Sequence, residues 1–309
     1  MKSVAALAAI IVLAMLISPA ASDGSRIFLQ LGNLTDILRQ VSLIGIISLA
    51  MTFVILTGGI DLSVGSILAL ATSLVAMFLT RPGGGIASAI LVAVAASAAV
   101  GALNGAVIAT LRIQPFIVTL ATMIGIRGLA KWLTGNANID IGFGRDVAAE
   151  FAALFRQKWV VIGSYAASAA AFWLMLTRTV FGRYVRAIGD NELASKYAGL
   201  PLASTKVWVY LMSGLLSGFA GVLYAAENHQ GNPNAGVAYE LDAIAAVVIG
   251  GTRLSGGKGS IAGTIVGTLI MGVLTNMLRL KNVDSNVEMM IKAVIIVLAV
   301  AAQRGRNAD

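Results

Sequence analysis

Apolar residues run along the chain in long blocks, interrupted by short polar or glycine-rich junctions. A helix needs about 20 mainly apolar residues to cross a bilayer. Ten blocks meet or approach that length: 4–20, 41–57, 62–79, 86–111, 115–133, 159–177, 207–226, 241–251, 261–278 and 287–302. The eighth is short and ends in Gly250-Gly251, which predicts a half-helix or a re-entrant segment. The second and third meet at Thr57-Gly58-Gly59-Ile60-Asp61, too little polar chain to stand in open water. Between the blocks, 146–157 places Val147, Phe151, Leu154 and Phe155 at i, i+4, i+7 and i+8, the pattern of a helix lying flat on a surface. A second short helix is predicted over 190–199. Asp190 is its N-cap, Glu192 favours the first turn, Gly199 sits at C′ and Pro201 prevents continuation. Leu193 and Tyr197 share one face. A helix of about eight residues is unstable alone in water, so it must dock on its own spans, a partner or lipid.

Composition supports the blocks. Hydrophobic residues make up 58% of the 309 and charged residues 12%, against about 25% charged in soluble domains. A globule of this size could not be covered in polar surface, which excludes a soluble enzyme, a disordered chain and a nucleic-acid reader. The expected class is an all-α, polytopic membrane protein of about ten helices in one domain, 1–309, embedded in lipid. The net charge of +8 sits at span ends, as loops of membrane proteins carry it. With the N-terminus inside, eleven Lys and Arg face the cytoplasm and eight face out; Arg145 counts outside and Arg306 inside. Five of the eleven lie within 178–206, and they set the orientation, with both termini cytoplasmic. The first block has a rival reading. Met1-Lys2, an apolar run and Pro19-Ala20-Ala21-Ser22 also resemble a cleavable secretory signal.

Catalytic repertoires are mostly missing. There is no Cys and one His, His229, so thiolate sites and two-His metal sites are absent, and no G-x-S-x-G occurs. No catalytic residue, metal or cofactor is expected. The stretch 250–260 mimics a phosphate loop, but Gly259 follows Lys258 where Ser or Thr is required, and Thr252 stands where the first glycine belongs. It reads as a flexible basic turn. Asp61 is the sharper feature. A carboxylate near the membrane core costs roughly 2.5–3.5 kcal/mol on insertion scales and is kept where a partner or water serves it. Asp61 caps the third span, lines a path, or does both. Gly-Gly-x-x-Leu-Ser occurs at both 58–63 and 250–255, and so short a match reads as coincidence.

The run Met51–Ser66 is similar to the hallmark stretch of the ribose/xylose/arabinose/galactose-type ABC transporter permeases. So are Arg112-Ile113-Gln114-Pro115-Phe116-Ile117-Val118-Thr119-Leu120, the stretch 182–199, the stretch 239–251 and the Leu-Ser-Gly-Gly-Lys-Gly junction. The likeness covers about 33–302. It implies the transmembrane subunit of an importer, with ATP hydrolysed on a separate ABC ATPase and sugar delivered by a periplasmic binding protein. It further implies a second copy or a paralogous permease beside it in the bacterial inner membrane. A ribose-like monosaccharide is the leading substrate, with other pentoses, hexoses and polyols open. The resemblance makes 178–206 a cytoplasmic coupling loop, with Gly189, Asp190, Asn191, Glu192, Leu193, Ala194, Tyr197 and Gly199 as coupling residues, and 135–158 a periplasmic loop. Relatives carry a longer arm before the first span than Met1-Lys2-Ser3, and 229–236 is an outward region where they vary. A sugar path needs small residues and neutral hydrogen-bonding groups. This places Gly58, Gly59, Asp61, Ser63 and Asn104 at or beside the path, with Gln114 and Asn276 as weaker candidates. An ion-coupled symporter would need paired acids at membrane depth. An intramembrane protease would need Ser–His or two Asp there.

Overall fold

The computed structural model describes residues 2–20, 24–142 and 146–304. Ala21 and Ser22 of the signal-like stretch lie outside them, as do Arg145 and Arg306. Within the described residues the chain forms α1 (Lys2–Ile17), α2 (Leu31–Leu56), α3 (Val64–Thr80), α4 (Ile86–Leu111), α5 (Pro115–Leu133) and α6 (Val147–Phe155). There follow α7 (Lys158–Arg178), α8 (Val180–Asp190), α9 (Glu192–Tyr197), α10 (Leu202–Asn228), α11 (Tyr239–Ile249), α12 (Ile261–Leu280) and α13 (Ser285–Arg304). Two-residue strands β1 (Ile139–Asp140) and β2 (Gln230–Gly231) pair antiparallel.

Each of the ten predicted spans overlaps one helix. Six helices, α2, α4, α5, α7, α10 and α12, are long and apolar enough to cross a membrane, and α1 and α3 are shorter apolar helices. The two groups divide by position. α2 and α10 are buried along most of their length, whereas only a minority of the residues of α4, α5 and α7 are buried, as in lipid-facing helices. The core gathers on α2, where Phe53 meets the edge of Phe172 at 5.3 Å and stacks on Phe181 at 6.1 Å. α4 and α10 cross closely because Gly101 faces Gly214 and Gly105 faces Val207 with no room for a side chain. α1 docks on α12, with Ala14 in one cluster with Phe28, Val41 and Val273.

The bundle has two distinct ends. At the first, Leu56 of α2 meets Gly189 of α8 and Gly257 of the α11–α12 turn. At the second, Arg39 pairs with Glu227 and Lys158 with Asp36. Further in, where α11 begins, Lys292 pairs with both Asp242 and Glu288. The surface helix forms as its pattern predicts. It spans Val147–Phe155, with the Asp146 side chain accepting from the Ala149 amide at 3.0 Å.

One sequence expectation is corrected. Asp190 does not cap the short helix; it is the last residue of α8. Asn191 is the cap, accepting the Ala194 amide at 2.9 Å, and α9 is only six residues long. The amphipathic α8, with Val185 and Ile188 buried, carries the chain up to that corner. The C-terminal signals act as read, with Gly199 left-handed at φ 76.

Candidate functional site

α2 ends in the way its glycines dictate. Gly58 adopts φ 77 and donates to the Ile55 carbonyl at 2.9 Å, while Gly59 donates to Val54 at 3.0 Å. This pairing satisfies two of the last carbonyls of the helix. It leaves Leu56 to accept from the Gly257 amide at 3.0 Å. The two Gly-Gly-x-x-Leu-Ser junctions therefore touch in space, and a side chain on Gly58 would meet the Ser255 carbonyl.

Beyond the break, Asp61 is fully buried and all its partners are neutral. Its Oδ1 accepts from the Ser63 amide at 2.9 Å and the Ser63 hydroxyl at 2.6 Å; its Oδ2 accepts from the Ser213 hydroxyl of α10 at 2.6 Å. Ser63 Oγ accepts from Asn104 Nδ2 of α4 at 3.0 Å, and Asn104 Oδ1 accepts from the Thr122 hydroxyl of α5 at 2.6 Å. Thr119 donates to the Ile60 carbonyl at 3.2 Å. One chain of hydrogen bonds thus ties the break to α4, α5 and α10. Asn104 stands seven residues before the end of α4, about 10 Å inward along the helix. An unsatisfied polar group at that depth is costly, and Asp61, Ser63 and Asn104 each have partners. Ser63, not Asp61, is the cap residue of α3; Asp61 holds the amide just before the helix begins. Tyr210, nearly fully buried, points its hydroxyl at Gly59, where any side chain would collide with it. That hydroxyl has no hydrogen-bond partner among the described residues.

A second discontinuity approaches from the opposite end. Residues 229–238 make it up. They descend beside α3, where Asn232 exchanges hydrogen bonds with Thr72 at 3.0 and 3.2 Å, until Gly236 packs on Gly65. The short α11 starts at that depth, so the eighth block is the half-helix its length predicts. Arg127 of α5 clasps this segment, donating to the carbonyls of Pro233, at 3.0 Å, and Ala235. Irregular backbone at membrane depth requires such shielding by protein.

The remaining sequence candidates sit elsewhere. Gln114 is exposed at the start of α5, and Asn276 makes a reciprocal amide pair with Asn33 at 2.8 and 3.3 Å. Of the residues expected to couple, Leu193 and Tyr197 are exposed at 62% and 82% among the described residues. Glu192 pairs with Lys206 at 2.7 Å, fixing α9 to α10. Cavities of about 10 Å³ beside Ala14 and 20 Å³ beside Asp242 each have room for about one water. Neither holds a sugar. Among the described residues no group of three His, Cys, Asp or Glu side chains could hold a metal.

Residues 33–300 match the family described as branched-chain amino acid transport system / permease component. The chain is 42% identical to the ribose import permease protein of Escherichia coli K12 over 313 aligned residues, covering 97% of this chain and 92% of the relative. The ribose import permease protein of Bacillus subtilis 168 is 42% identical, with 91% and 87% covered. The D-allose transport system permease protein of Escherichia coli K12 is 33% identical, with 95% and 90% covered. No solved structure matches the chain.

The chain belongs to this permease family.

In the permease, several site residues escape sequence reading. Arg127 bonds to backbone carbonyls more than a hundred positions away, and carbonyls carry no sequence signal. Ser213 and Thr122 read as small helix-packing residues until the fold brings them to Asp61 and Asn104. The depth of 229–238 was foreshadowed only by the shortness of α11.

Proposed function

We propose that this permease carries a ribose-like monosaccharide across the bacterial inner membrane as the transmembrane part of a binding-protein-dependent importer. ATP is hydrolysed on a separate ABC ATPase, and a periplasmic binding protein supplies the sugar. A second copy or a paralogous permease completes the membrane unit. The observation that carries this reading is the near full-length similarity to ribose import permeases. The physical chemistry agrees with it. A sugar with many hydroxyls and no charge suits a wall of Ser, Thr and Asn groups held in one network better than a file of ion pairs.

In this reading the glycine-rich end faces the cytoplasm, and 178–206 is the coupling loop. α9 presents Leu193 and Tyr197 to a groove of the ATPase, with Ala194 between them and Gly189 to Asn191 at the base. The segment 135–158 lies on the periplasmic side. Asp61, Ser63 and Asn104 stand beside the path as the linkage that holds its wall, with Gly58 and Gly59 supplying the bend. Gln114, exposed at the start of α5, and Asn276, paired with Asn33, stand apart from it.

The test is ATP-dependent uptake of labelled ribose by proteoliposomes holding the permease with an ABC ATPase and a ribose-binding protein of the same organism. The parent transporter takes up sugar only with ATP inside. Ala194→Glu assembles normally and loses uptake. Normal uptake by Ala194→Glu at equal assembly would remove the coupling role of α9. Uptake that runs on an ion gradient without ATP would make the protein a symporter with Asp61 as its acid.

A further inference from the structure

Three segments far apart in sequence meet at the glycine-rich end, and they meet through backbone. Gly189, one residue before the end of α8, lies so close to the Leu56 carbonyl and the Gly257 amide that a methyl group there would strike both. Gly256, at φ 90, faces the carbonyls of Gly189 and Leu56; a Cβ would lie 2.8 and 3.0 Å from them. Gly257, at φ 73, faces Asp190, where a Cβ would lie 3.0 Å from both its Cα and its Oδ1. The Gly257 amide also donates to Leu56. These positions need glycine for space, and Gly256 and Gly257 need it for their left-handed backbone as well.

The chain of contact continues in both directions. Two residues past Asn191 the chain is already in α9. Two residues past Leu56 stands Gly58, where the backbone bends, and five past it stands Asp61, tied to α10 and through Ser63 to α4 and α5. Long side chains reorient when pushed, whereas backbone in van der Waals contact has no rotamer to absorb a displacement.

We infer that Gly189, Gly256 and Gly257 are positioning residues for energy coupling. They clamp the last carbonyl of α2 to the base of α9, so that a shift of α9 by the ATPase moves the Gly58–Ser63 break as one body. The α11–α12 turn, which mimics a phosphate loop in sequence, is the third member of this joint and binds no nucleotide. The inference rests on the coupling role proposed for α9.

The experiment uses the complete transporter in proteoliposomes. Gly189→Ala and Gly257→Ala each force the joint open from one side. Gly135→Ala, in an exposed turn at φ 60 with open space around it, controls for backbone strain alone. The two joint variants should keep basal ATP hydrolysis within about twofold, while sugar uptake and its stimulation of hydrolysis fall about tenfold or more. Gly135→Ala should match the parent. Uptake near the parent level in both joint variants, at equal assembly, overturns the inference. If Ala194→Glu uncouples while the joint variants transport normally, only the inference falls; if Ala194→Glu also transports normally, the reading beneath it falls too.

Should the alanine variants fail to assemble, amide hydrogen exchange of the parent transporter decides. The Gly257 amide donates to the Leu56 carbonyl at 3.0 Å, and it should stay protected both at rest and during turnover, because the joint moves as a unit. Fast exchange at rest, or exchange that speeds up once ATP and sugar-loaded binding protein set the cycle running, shows that the contact is absent or opens in each cycle.

Discussion

At one end of the bundle Leu56, Gly189 and Gly257 touch backbone to backbone; at the other, charged side chains bridge the gaps. Arg39 reaches Glu227 at 2.7 Å and Lys158 reaches Asp36 at 2.7 Å. The first kind of contact passes a displacement on, because neither partner can rotate away. The second absorbs it, because long side chains follow one another through many rotamers. Under the proposed function, the stiff end serves coupling to an ATPase and the compliant end serves exchange of sugar with a delivering protein. Between them Arg127 and the Gly65–Gly236 contact join the two chain breaks near mid-bundle.

The contrast predicts unequal costs for single substitutions. Gly105→Leu should do the most damage, because any side chain there meets the backbone of Val207 at the stiff end. Overpacking of that kind costs about 3 kcal/mol, seen as a marked drop in the unfolding temperature of the detergent-solubilised permease. Arg39→Ala should cost less, about 1–2 kcal/mol, because it leaves the partly buried Glu227 carboxylate without its cation. Lys158→Ala should cost least, about 0.5 kcal/mol or below and less at high salt, since its pair is 35% and 57% exposed. If Arg39→Ala proved as harmful as Gly105→Leu in the same melts, the compliant end would be as rigid as the other.

The spans were legible because length and apolarity alone decide them, and each predicted block overlaps a helix. Their ends were not. α2 starts at Leu31, ten residues before its apolar block, because Asp36 and Arg39 are satisfied by ion pairs that only the folded chain supplies. The corner at Asn191 was misplaced by one residue because Asp190 and Asn191 are both good caps, and the choice depends on where α8 stops. α8 itself carries a readable stripe in Phe181, Val185 and Ile188, yet its charges read as loop. Of the proposed path residues, the sequence grouped Asp61 with Asn104 through the cost of burying either alone, and the structure joins them through Ser63. Tyr210 and Ser213, their neighbours from α10, carry no such signal, because Ser and Tyr are ordinary residues of a membrane helix.

The central claim is that the break at Gly58–Ser63 is the moving part of the path. Thiol labelling of single cysteines in the assembled transporter tests it most directly. Ser63 and Asn104 are almost completely buried, whereas Gln114 is exposed. With a membrane-impermeant maleimide enclosed on the cytoplasmic side, Gln114→Cys should react at rest and during turnover alike. Ser63→Cys and Asn104→Cys should stay unlabelled at rest and react once ATP and sugar-loaded binding protein set the cycle running. Equal labelling of Ser63→Cys and Asn104→Cys with and without turnover would contradict the account.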